Sequence, residues 1–157
     1  MKHEWRKHEK NLYLPKAKPE QINVPALKFF SIEGEGNPNS DLFAKHIAAL
    51  YAVSYAVRMS PKQGIAPEGY FEYTVYPLEG IWDLTEKGRE EYNGKINKNE
   101  LKYKIMIRQP DFVTSDFASE ILERTHKKKS LKWLENVVFE SICEGQCVQM
   151  LHTGSYD

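Results

Sequence analysis

The residues best suited to chemistry lie in one short segment, residues 68–82, which reads EGYFEYTVYPLEGIW. Five aromatic rings and three carboxylates fall within these fifteen positions. Rings can stack on a flat ligand and attract a cationic one, and a carboxylate between them adds negative charge. A carboxylate that such rings keep from water can have a raised pKa and act as a general acid or base. The segment therefore predicts a site for flat, cationic or electron-poor organic molecules.

A purely structural interpretation of the same segment stays open. Its composition is typical of a β-strand over residues 70–82, in which side chains alternate between two faces. The aromatic residues would then face the core, and the glutamates would face water. Pro77 and Gly80 predict a bulge near the end of this strand.

The elements that must position the segment predict an α+β fold with an antiparallel sheet. Apolar residues at helical spacing predict helices, and alternating β-formers predict strands. The strands predicted over residues 70–82 and 101–109 are expected to pair with each other in antiparallel fashion. The predicted elements are, in chain order, a strand over residues 22–32, a helix over 41–59, strands over 70–82 and 101–109, and a helix over 112–129.

The two ends of the chain carry separate expectations. Residues 1–20 mix charged side chains with two prolines, which predicts an extended N-terminal arm that can open with one short helical turn. Trp5, Leu12, Tyr13 and Leu14 are apolar enough to tether part of the arm to the body. Residues 21–157 are predicted to form the domain. Residues 137–142 and 147–152 flank a Glu-Gly-Gln sequence and are predicted to form a hairpin.

Composition narrows the classes of function. The chain has 157 residues, and its 22 Lys and Arg balance its 22 Asp and Glu. Zero net charge argues against a protein whose main task is to grip a nucleic-acid backbone. No apolar run is long enough to span a bilayer. Cys143 and Cys147 are too few for a disulfide framework, which favours a cytoplasmic protein.

Metal and cofactor sites are not indicated. The glycine-containing loop of residues 33–39 lacks the ending of a phosphate-binding loop, and its two glutamates would repel phosphate. The five histidines and two cysteines are not spaced for a tetrahedral zinc site. Cys–His nucleophilic catalysis stays open, although no pattern indicates it. We expect no metal and no cofactor.

Four motifs in order resemble the GyrI-like small-molecule-binding proteins, in particular a stand-alone bacterial branch related to cyclopropanoid cyclopropyl hydrolases. The motifs occupy residues 28–39, 67–82, 107–113 and 148–156. The resemblance implies two strand-helix-strand-strand modules around a central cleft. The predicted elements supply one such module and the first strand of a second, so the second module is expected to be incomplete.

The resemblance also implies a function and a set of site residues. It implies binding of aromatic or cationic drug-like molecules, which would protect the cell from xenobiotics. The alternative that it implies is hydrolysis of the cyclopropane ring of duocarmycin-type DNA alkylators, with Glu72 as the catalytic carboxylate. The predicted ligand-binding residues are Tyr70, Glu72, Tyr76, Trp82, Tyr55 and His152.

Partners form the last set of expectations. The acidic Glu33 and Glu35 leave open an interaction module that modulates a DNA enzyme. We expect no direct contact with nucleic acid or membrane. A predicted strand over residues 148–156 lacks an evident partner, and an unpaired strand edge is adhesive. A monomer in which this strand folds back onto residues 27–32 is favoured over a homodimer.

Overall fold

A computed structural model describes residues 1–156 of the chain and confirms the predicted fold class. It is an α+β fold whose antiparallel sheet has the strand order β2-β3-β1-β4. The strands are β1 (Glu20–Glu35), β2 (Leu78–Leu84), β3 (Leu101–Gln109) and β4 (Val138–Gln149). The α-helices are α1 (Trp5–His8), α2 (Lys10–Tyr13), α3 (Asp41–Arg58), α4 (Glu86–Glu90) and α5 (Ser115–Lys129), with 3-10 turns at Ser60–Gln63, Lys98–Glu100 and Lys132–Asn136.

The long strand β1 organises the sheet because it pairs with a different strand along each edge. Phe30 lies opposite Ile107 of β3 on one side and Phe139 of β4 on the other. Side chains that are paired across antiparallel strands point to the same face. The register therefore builds two distinct faces from alternate residues of the same strands.

One face, here called the helix-covered face, packs against α3 and α5. Ser40 caps α3 by accepting a hydrogen bond from the Phe43 amide, and Thr114 caps α5 in the same way. Burial of apolar side chains under these helices is the main source of stability. The fully buried members of this core include Phe30, Ile32, Leu50, Val53, Ile105, Ile107 and Ile121.

The opposite face, here called the arm-covered face, lies under the residues that precede β1, which we call the arm. The arm holds α1 and α2 and is tied down at several points. The Trp5 indole nitrogen donates to the Val75 carbonyl at 3.0 Å, and the Gln149 side chain donates to the Asn11 carbonyl at 2.7 Å. The predicted extended arm is therefore partly helical and packed on the sheet.

The strand predicted over residues 70–82 is only partly formed. Pairing with β3 is confined to Leu78–Leu84. The preceding residues are irregular because Pro77 has no N–H to donate to a strand partner. Backbone groups of the arm form hydrogen bonds with these residues instead. The His3 amide donates to the Glu72 carbonyl, and the Thr74 amide donates to the His3 carbonyl, both at 2.8 Å. The predicted alternation of faces before Pro77 is wrong, because the strand begins only at Leu78. Tyr73 and Tyr76 are both buried.

The predicted hairpin of residues 137–142 and 147–152 is also wrong. Val138–Gln149 forms one continuous strand, and it pairs with β1 rather than with itself. Gly145, which was expected to form the turn of the hairpin, lies inside the strand opposite Val24, with a φ of 66°. The ladder along β1 satisfies more backbone groups than a tight hairpin could.

The predicted fold-back of residues 148–156 onto residues 27–32 is wrong in its pairing, although the C-terminal strand does pair with the first strand. Val138 lies opposite Ser31, whereas Val148 lies opposite Gln21. The strand ends at Gln149, and the Leu151 amide then donates to the Lys16 carbonyl at 2.8 Å. None of the helices in residues 1–156 combines the length and the apolar character that a membrane span needs.

Candidate functional site

Strand β2 places the carboxylate of Glu79 on the arm-covered face. Glu79 lies opposite Met106 of β3. Its neighbour Gly80 lies on the helix-covered face, where an added Cβ would come within 2.5 Å of the Trp82 indole nitrogen. Trp82 in turn packs on Phe43 of α3, with ring centroids 5.5 Å apart. This packing fixes β2 and so fixes the direction of Glu79.

The Glu79 carboxyl has one oxygen without a hydrogen-bond partner in the described part of the chain. Its Oε2 atom is buried and accepts no hydrogen bond from residues 1–156. Burial raises the pKa of Glu79 to about 7, and the negative charge of Glu144 adds to this, while the positive charge of Arg108 opposes it. Neutral and ionised forms of Glu79 therefore coexist near neutral pH.

Glu144 influences Glu79 although the two residues lie on opposite edges of the sheet. Glu79 and Glu144 belong to β2 and β4, the two edge strands of the sheet. The row of Glu79, Met106 and Ser31 meets β4 at Val138, six residues before Glu144. The charge of Glu144 therefore acts on Glu79 from the far edge strand, without a direct contact between the two carboxylates.

A guanidinium, Arg108, lies beside Glu79 on the same face but is bound to the arm. Its Nη1 atom donates to Glu9 Oε1 at 2.6 Å and to the Tyr13 hydroxyl at 3.1 Å. Its guanidinium carbon lies 4.5 Å from the centre of the Tyr76 ring, a cation–π contact. Burial lowers the pKa of Arg108, but the contacts with Tyr13 and Glu9 outweigh burial and hold that pKa above its ordinary value.

Glu9 is the best-bound carboxylate of the site. Its second oxygen, Oε2, accepts from the Tyr76 hydroxyl at 2.9 Å and lies 2.9 Å from His3 Nε2. Burial raises the pKa of Glu9, yet the hydrogen bonds of His3, Arg108 and Tyr76 bring it below the ordinary value. Glu9 is thus an ionised anchor, in contrast to Glu79.

Aromatic rings from the arm surround these charges. The Tyr13 ring lies 5.7 Å from the Tyr76 ring and 5.4 Å from the Trp5 ring, between centroids. Burial raises the pKa of Tyr13 to about 12 and also raises that of Tyr76. Both phenols stay neutral at physiological pH and can donate hydrogen bonds. We call Glu79, Arg108, Glu9, Tyr13 and Tyr76 the Glu79 site.

A second polar cluster on the same face behaves differently. Glu140 accepts from Lys104 Nζ at 3.1 Å and from the Ser31 hydroxyl. Burial raises the pKa of Glu140, but these two partners outweigh burial and leave that pKa below its ordinary value. Glu140 is therefore a paired, ionised group, which sets Glu79 apart among the carboxylates of this face.

The structure brings only one of the predicted ligand-binding residues, Tyr76, into the Glu79 site. Glu72 is exposed and accepts from Arg58 Nη2 at 2.6 Å. The Tyr70 hydroxyl donates to the Arg58 carbonyl at 2.7 Å. These two residues therefore share one arginine at the end of α3, away from the carboxyl of Glu79.

The other predicted residues lie in three separate places. Trp82 lies on the helix-covered side of β2, with a ring centroid 5.3 Å from that of Tyr103. Tyr55 is exposed on α3, beside a cavity of about 490 Å³ between α3 and α5. His152 stacks on Tyr156 at 4.6 Å, beyond β4. Ligand binding by these residues stays a prediction.

Sequence reasoning did not single out Glu79, Arg108, Glu9 or Tyr13. The signal for Glu79 was its place beside Gly80 in the segment already chosen for its rings and carboxylates. Arg108 was on the polar face of a predicted strand. Glu9 gave no local signal, and Tyr13 was predicted only to tether the arm, because their roles in the site depend on contacts with residues far along the chain.

Metal binding finds no support in the described part of the chain. Among residues 1–156, no group of three His, Cys, Asp or Glu side chains is arranged to hold a metal ion. Cys143 and Cys147 are both unpaired thiols near the end of β4. The side chains of the Glu79 site are carboxylates, phenols and a guanidinium.

Comparison with known proteins gives a consistent structural match. No protein-family model matches the sequence, and no curated protein matches it. A hydrolase from Listeria innocua is similar at 33% identity and a TM-score of 0.85, over 99% of this chain and 76% of that one. A second structure of a hydrolase from Listeria innocua gives 35% and 0.87, over 99% and 74%. A third, an uncharacterized conserved protein from Listeria innocua, gives 35% and 0.85 over the same shares.

Proposed function

The chain belongs to the same family as these hydrolases from Listeria innocua, and from that premise we propose that it hydrolyses aromatic or cationic small molecules at the Glu79 site. One observation carries the proposal: the Oε2 atom of Glu79 is buried and accepts no hydrogen bond within residues 1–156, and burial raises the pKa of this carboxyl to about 7. A group with a pKa near the working pH is suited to general acid–base catalysis. The proposal gives Glu79 the catalytic role that the sequence had suggested for Glu72.

The surroundings of Glu79 support binding of such substrates. Trp5, Tyr13 and Tyr76 offer aromatic surfaces for stacking. The ionised form of Glu79 would attract a cation or a carbon with developing positive charge. Met106 and Phe29, each 2% exposed, form an apolar floor on the same face.

The substrate class that we propose is a strained aromatic electrophile, such as the cyclopropane of duocarmycin-type DNA alkylators. The resemblance to GyrI-like proteins suggested this class, and the hydrolase relatives are compatible with it. Ionised Glu79 would take a proton from water while the water oxygen bonds to a ring carbon. The cyclopropane C–C bond would break, and its electron pair would pass to the conjugated carbonyl, whose oxygen would then take the proton.

The test compares two carboxylates of the same chain. The protein is incubated with an activated cyclopropane compound, and mass spectrometry follows the product that contains one added water. We expect Glu79→Gln to slow turnover by about 10²-fold or more, because it removes the acid–base group. Glu72→Gln should leave turnover unchanged, because Glu72 is exposed and paired with Arg58. Loss of activity in Glu72→Gln alone would return the role to Glu72.

Binding without turnover is a second candidate, favoured by the rings of Trp5, Tyr13 and Tyr76 beside a carboxyl group. The protein would then sequester aromatic xenobiotics. Titration with planar cationic dyes, followed by Trp fluorescence, tests it. Dissociation constants below about 1 mM with no water-addition product would favour this candidate. Absence of binding across the dye panel would remove it.

A further inference from the structure

The guanidinium of Arg108 lies near two carboxylates, Glu9 and Glu79, but it forms an ion pair only with Glu9. Arg108 is two residues along β3 from Met106, the residue opposite Glu79. Arg108 and Glu79 are therefore diagonal neighbours on one face of the sheet, within reach of long side chains. Yet Arg108 forms its ion pair with Glu9 at 2.6 Å, while Glu79 Oε2 is buried without a partner in residues 1–156.

Glu9 holds the guanidinium because it is itself held on both oxygens. Tyr76 and His3 contact Oε2, each at 2.9 Å, and Arg108 contacts Oε1. Tyr13 adds a second contact to the same Nη1 atom of Arg108. Trp5 anchors the arm separately, through a hydrogen bond to the Val75 carbonyl. A change of charge at Glu9 therefore leaves a neutral attachment of the arm in place.

We propose that Glu9 is a positioning residue that keeps Arg108 in an ion pair with the arm and so leaves the Glu79 carboxyl free to exchange protons with a substrate. The inference rests on the proposed function of Glu79 and extends the site to the arm. Glu9 itself acts through Arg108, not on the reacting atoms.

The charges that face Glu79 give the direction of the effect. Arg108 of β3 favours its ionised form, Glu144 of β4 disfavours it, and the Tyr13 hydroxyl of α2 is neutral. With Glu9 neutralised, the charge of Arg108 is no longer balanced by the arm. The guanidinium then turns towards Glu79, and this attraction lowers the pKa of Glu79.

The experiment is a double-mutant cycle read by the pKa of Glu79 without any substrate. NMR titration of carbon-13-labelled glutamate side chains gives this pKa, and Glu79→Gln identifies the signal. We expect Glu9→Gln to lower it by about one to three units. Glu4→Gln is the matched control, because Glu4 is in the arm but is bound to Lys7. It should leave the pKa of Glu79 unchanged.

The second arm of the cycle separates positioning from simple loss of charge. Arg108→Met should raise the pKa of Glu79, and Glu9→Gln should then have little further effect. An equal shift in both backgrounds would mean that Glu9 acts by its charge alone, which would overturn the proposal. So would the absence of any shift in Glu9→Gln.

A milder variant covers the case in which Glu9→Gln disturbs folding. Tyr76→Phe removes one donor to Glu9 Oε2 and changes no charge. It should lower the pKa of Glu79 in the same direction by a smaller amount, and no change would contradict the proposal. Failure of the cycle would leave hydrolysis by Glu79 intact. Normal turnover by Glu79→Gln would remove the proposed function, and with it the purpose of the Glu9 contact, but would not change the result of the pKa cycle.

Discussion

The two faces of the sheet are made from alternate residues of the same strands, yet they treat polar groups in opposite ways. On the helix-covered face, buried polar groups are neutral. The Tyr103 hydroxyl lies 2.9 Å from His46 Nδ1, and burial lowers the pKa of His46 so that the ring stays uncharged. The Gln109 amide donates to the Ser54 hydroxyl at 3.0 Å.

The arm-covered face instead collects charged groups. Arg108 is only 8% exposed and is bound to Glu9. Glu79 Oε2 and Arg108 Nε are buried, and neither has a hydrogen-bond partner within residues 1–156. Burying a carboxyl in this way costs stability unless the group is neutral. The comparison teaches that the helix-covered face stabilises the fold, whereas the arm-covered face contains a carboxyl group that lowers stability when it is ionised. Such destabilising groups are common at functional sites.

The largest change in the free energy of unfolding should follow from removing a large apolar side chain from the helix-covered face. Phe30 is fully buried there. We expect Phe30→Ala to lower the free energy of unfolding by about 3 to 5 kcal/mol, because it removes apolar contacts and leaves a cavity. Urea unfolding followed by Trp fluorescence measures this. Phe71→Ala, at a site 41% exposed, is the control, and equal losses in both variants would break the comparison.

The second-largest change should come from Glu79→Gln, which we expect to raise the free energy of unfolding by an amount that depends on pH. The pKa of Glu79 is about 7 in the folded protein, compared with 4.5 for an ordinary glutamate. The folded state thus binds the proton more tightly, so the contribution of Glu79 to stability falls as pH rises from 4.5 to about 7. Glu79→Gln removes this pH-dependent loss of stability, because glutamine does not ionise. We expect it to raise the free energy of unfolding above that of the wild type by at most about 3 kcal/mol above neutral pH.

The pH series makes this prediction specific. Urea unfolding of Glu79→Gln and wild type should differ most above neutral pH and least at the acidic end of the window. A constant difference across the series would show that Glu79 titrates normally. A loss of stability in Glu79→Gln above neutral pH would show that Glu79 has a partner in solution.

A smaller loss should follow from breaking a neutral pair on the helix-covered face. Tyr103→Phe removes the hydroxyl that contacts His46. We expect a loss of about 1 to 3 kcal/mol, because a buried polar atom loses its partner. Thermal or urea unfolding measures it, with the exposed Tyr92→Phe as control. A neutral result would mean that water reaches His46.

The smallest effect should come from the exposed pair of Arg58 and Glu72. Glu72 is 58% exposed, although its oxygen lies 2.6 Å from Arg58 Nη2. We expect Glu72→Gln to change the free energy of unfolding by less than about 1 kcal/mol, since water and salt screen surface ion pairs. A larger loss that persists in high salt would indicate that Glu72 is part of a buried network.

Much of the fold could be predicted from local pattern. The first strand, α3, β3 and α5 follow from apolar periodicity and from the caps Ser40 and Thr114. The residues before β2 could not be assigned, because Pro77 excludes ladder pairing and the arm satisfies their backbone. The false hairpin arose from Gly145, whose positive φ serves a continuous strand rather than a turn.

The candidate site was only half visible in the sequence. The segment rich in rings and carboxylates was found, and it contains both Tyr76 and Glu79. Which of its glutamates is buried depends on the register of β2 against β3, which local pattern cannot give. The parts played by Glu9 and Arg108 depend on a contact between the arm and the third strand, and no local propensity encodes such a contact.

The position of β1 between β3 and β4 has a consequence for how the chain folds. More than a hundred residues separate Ser31 from its β4 partner Val138, so the sheet is dominated by pairings distant in sequence, a topology that folds slowly. On the ribosome, β1 waits on the order of ten seconds for β4 to be synthesised. During that time one edge of β1, including the apolar Leu27 and Phe29, is open to association with other chains. Yield from cells should therefore depend on chaperone supply and growth temperature more than the equilibrium stability suggests.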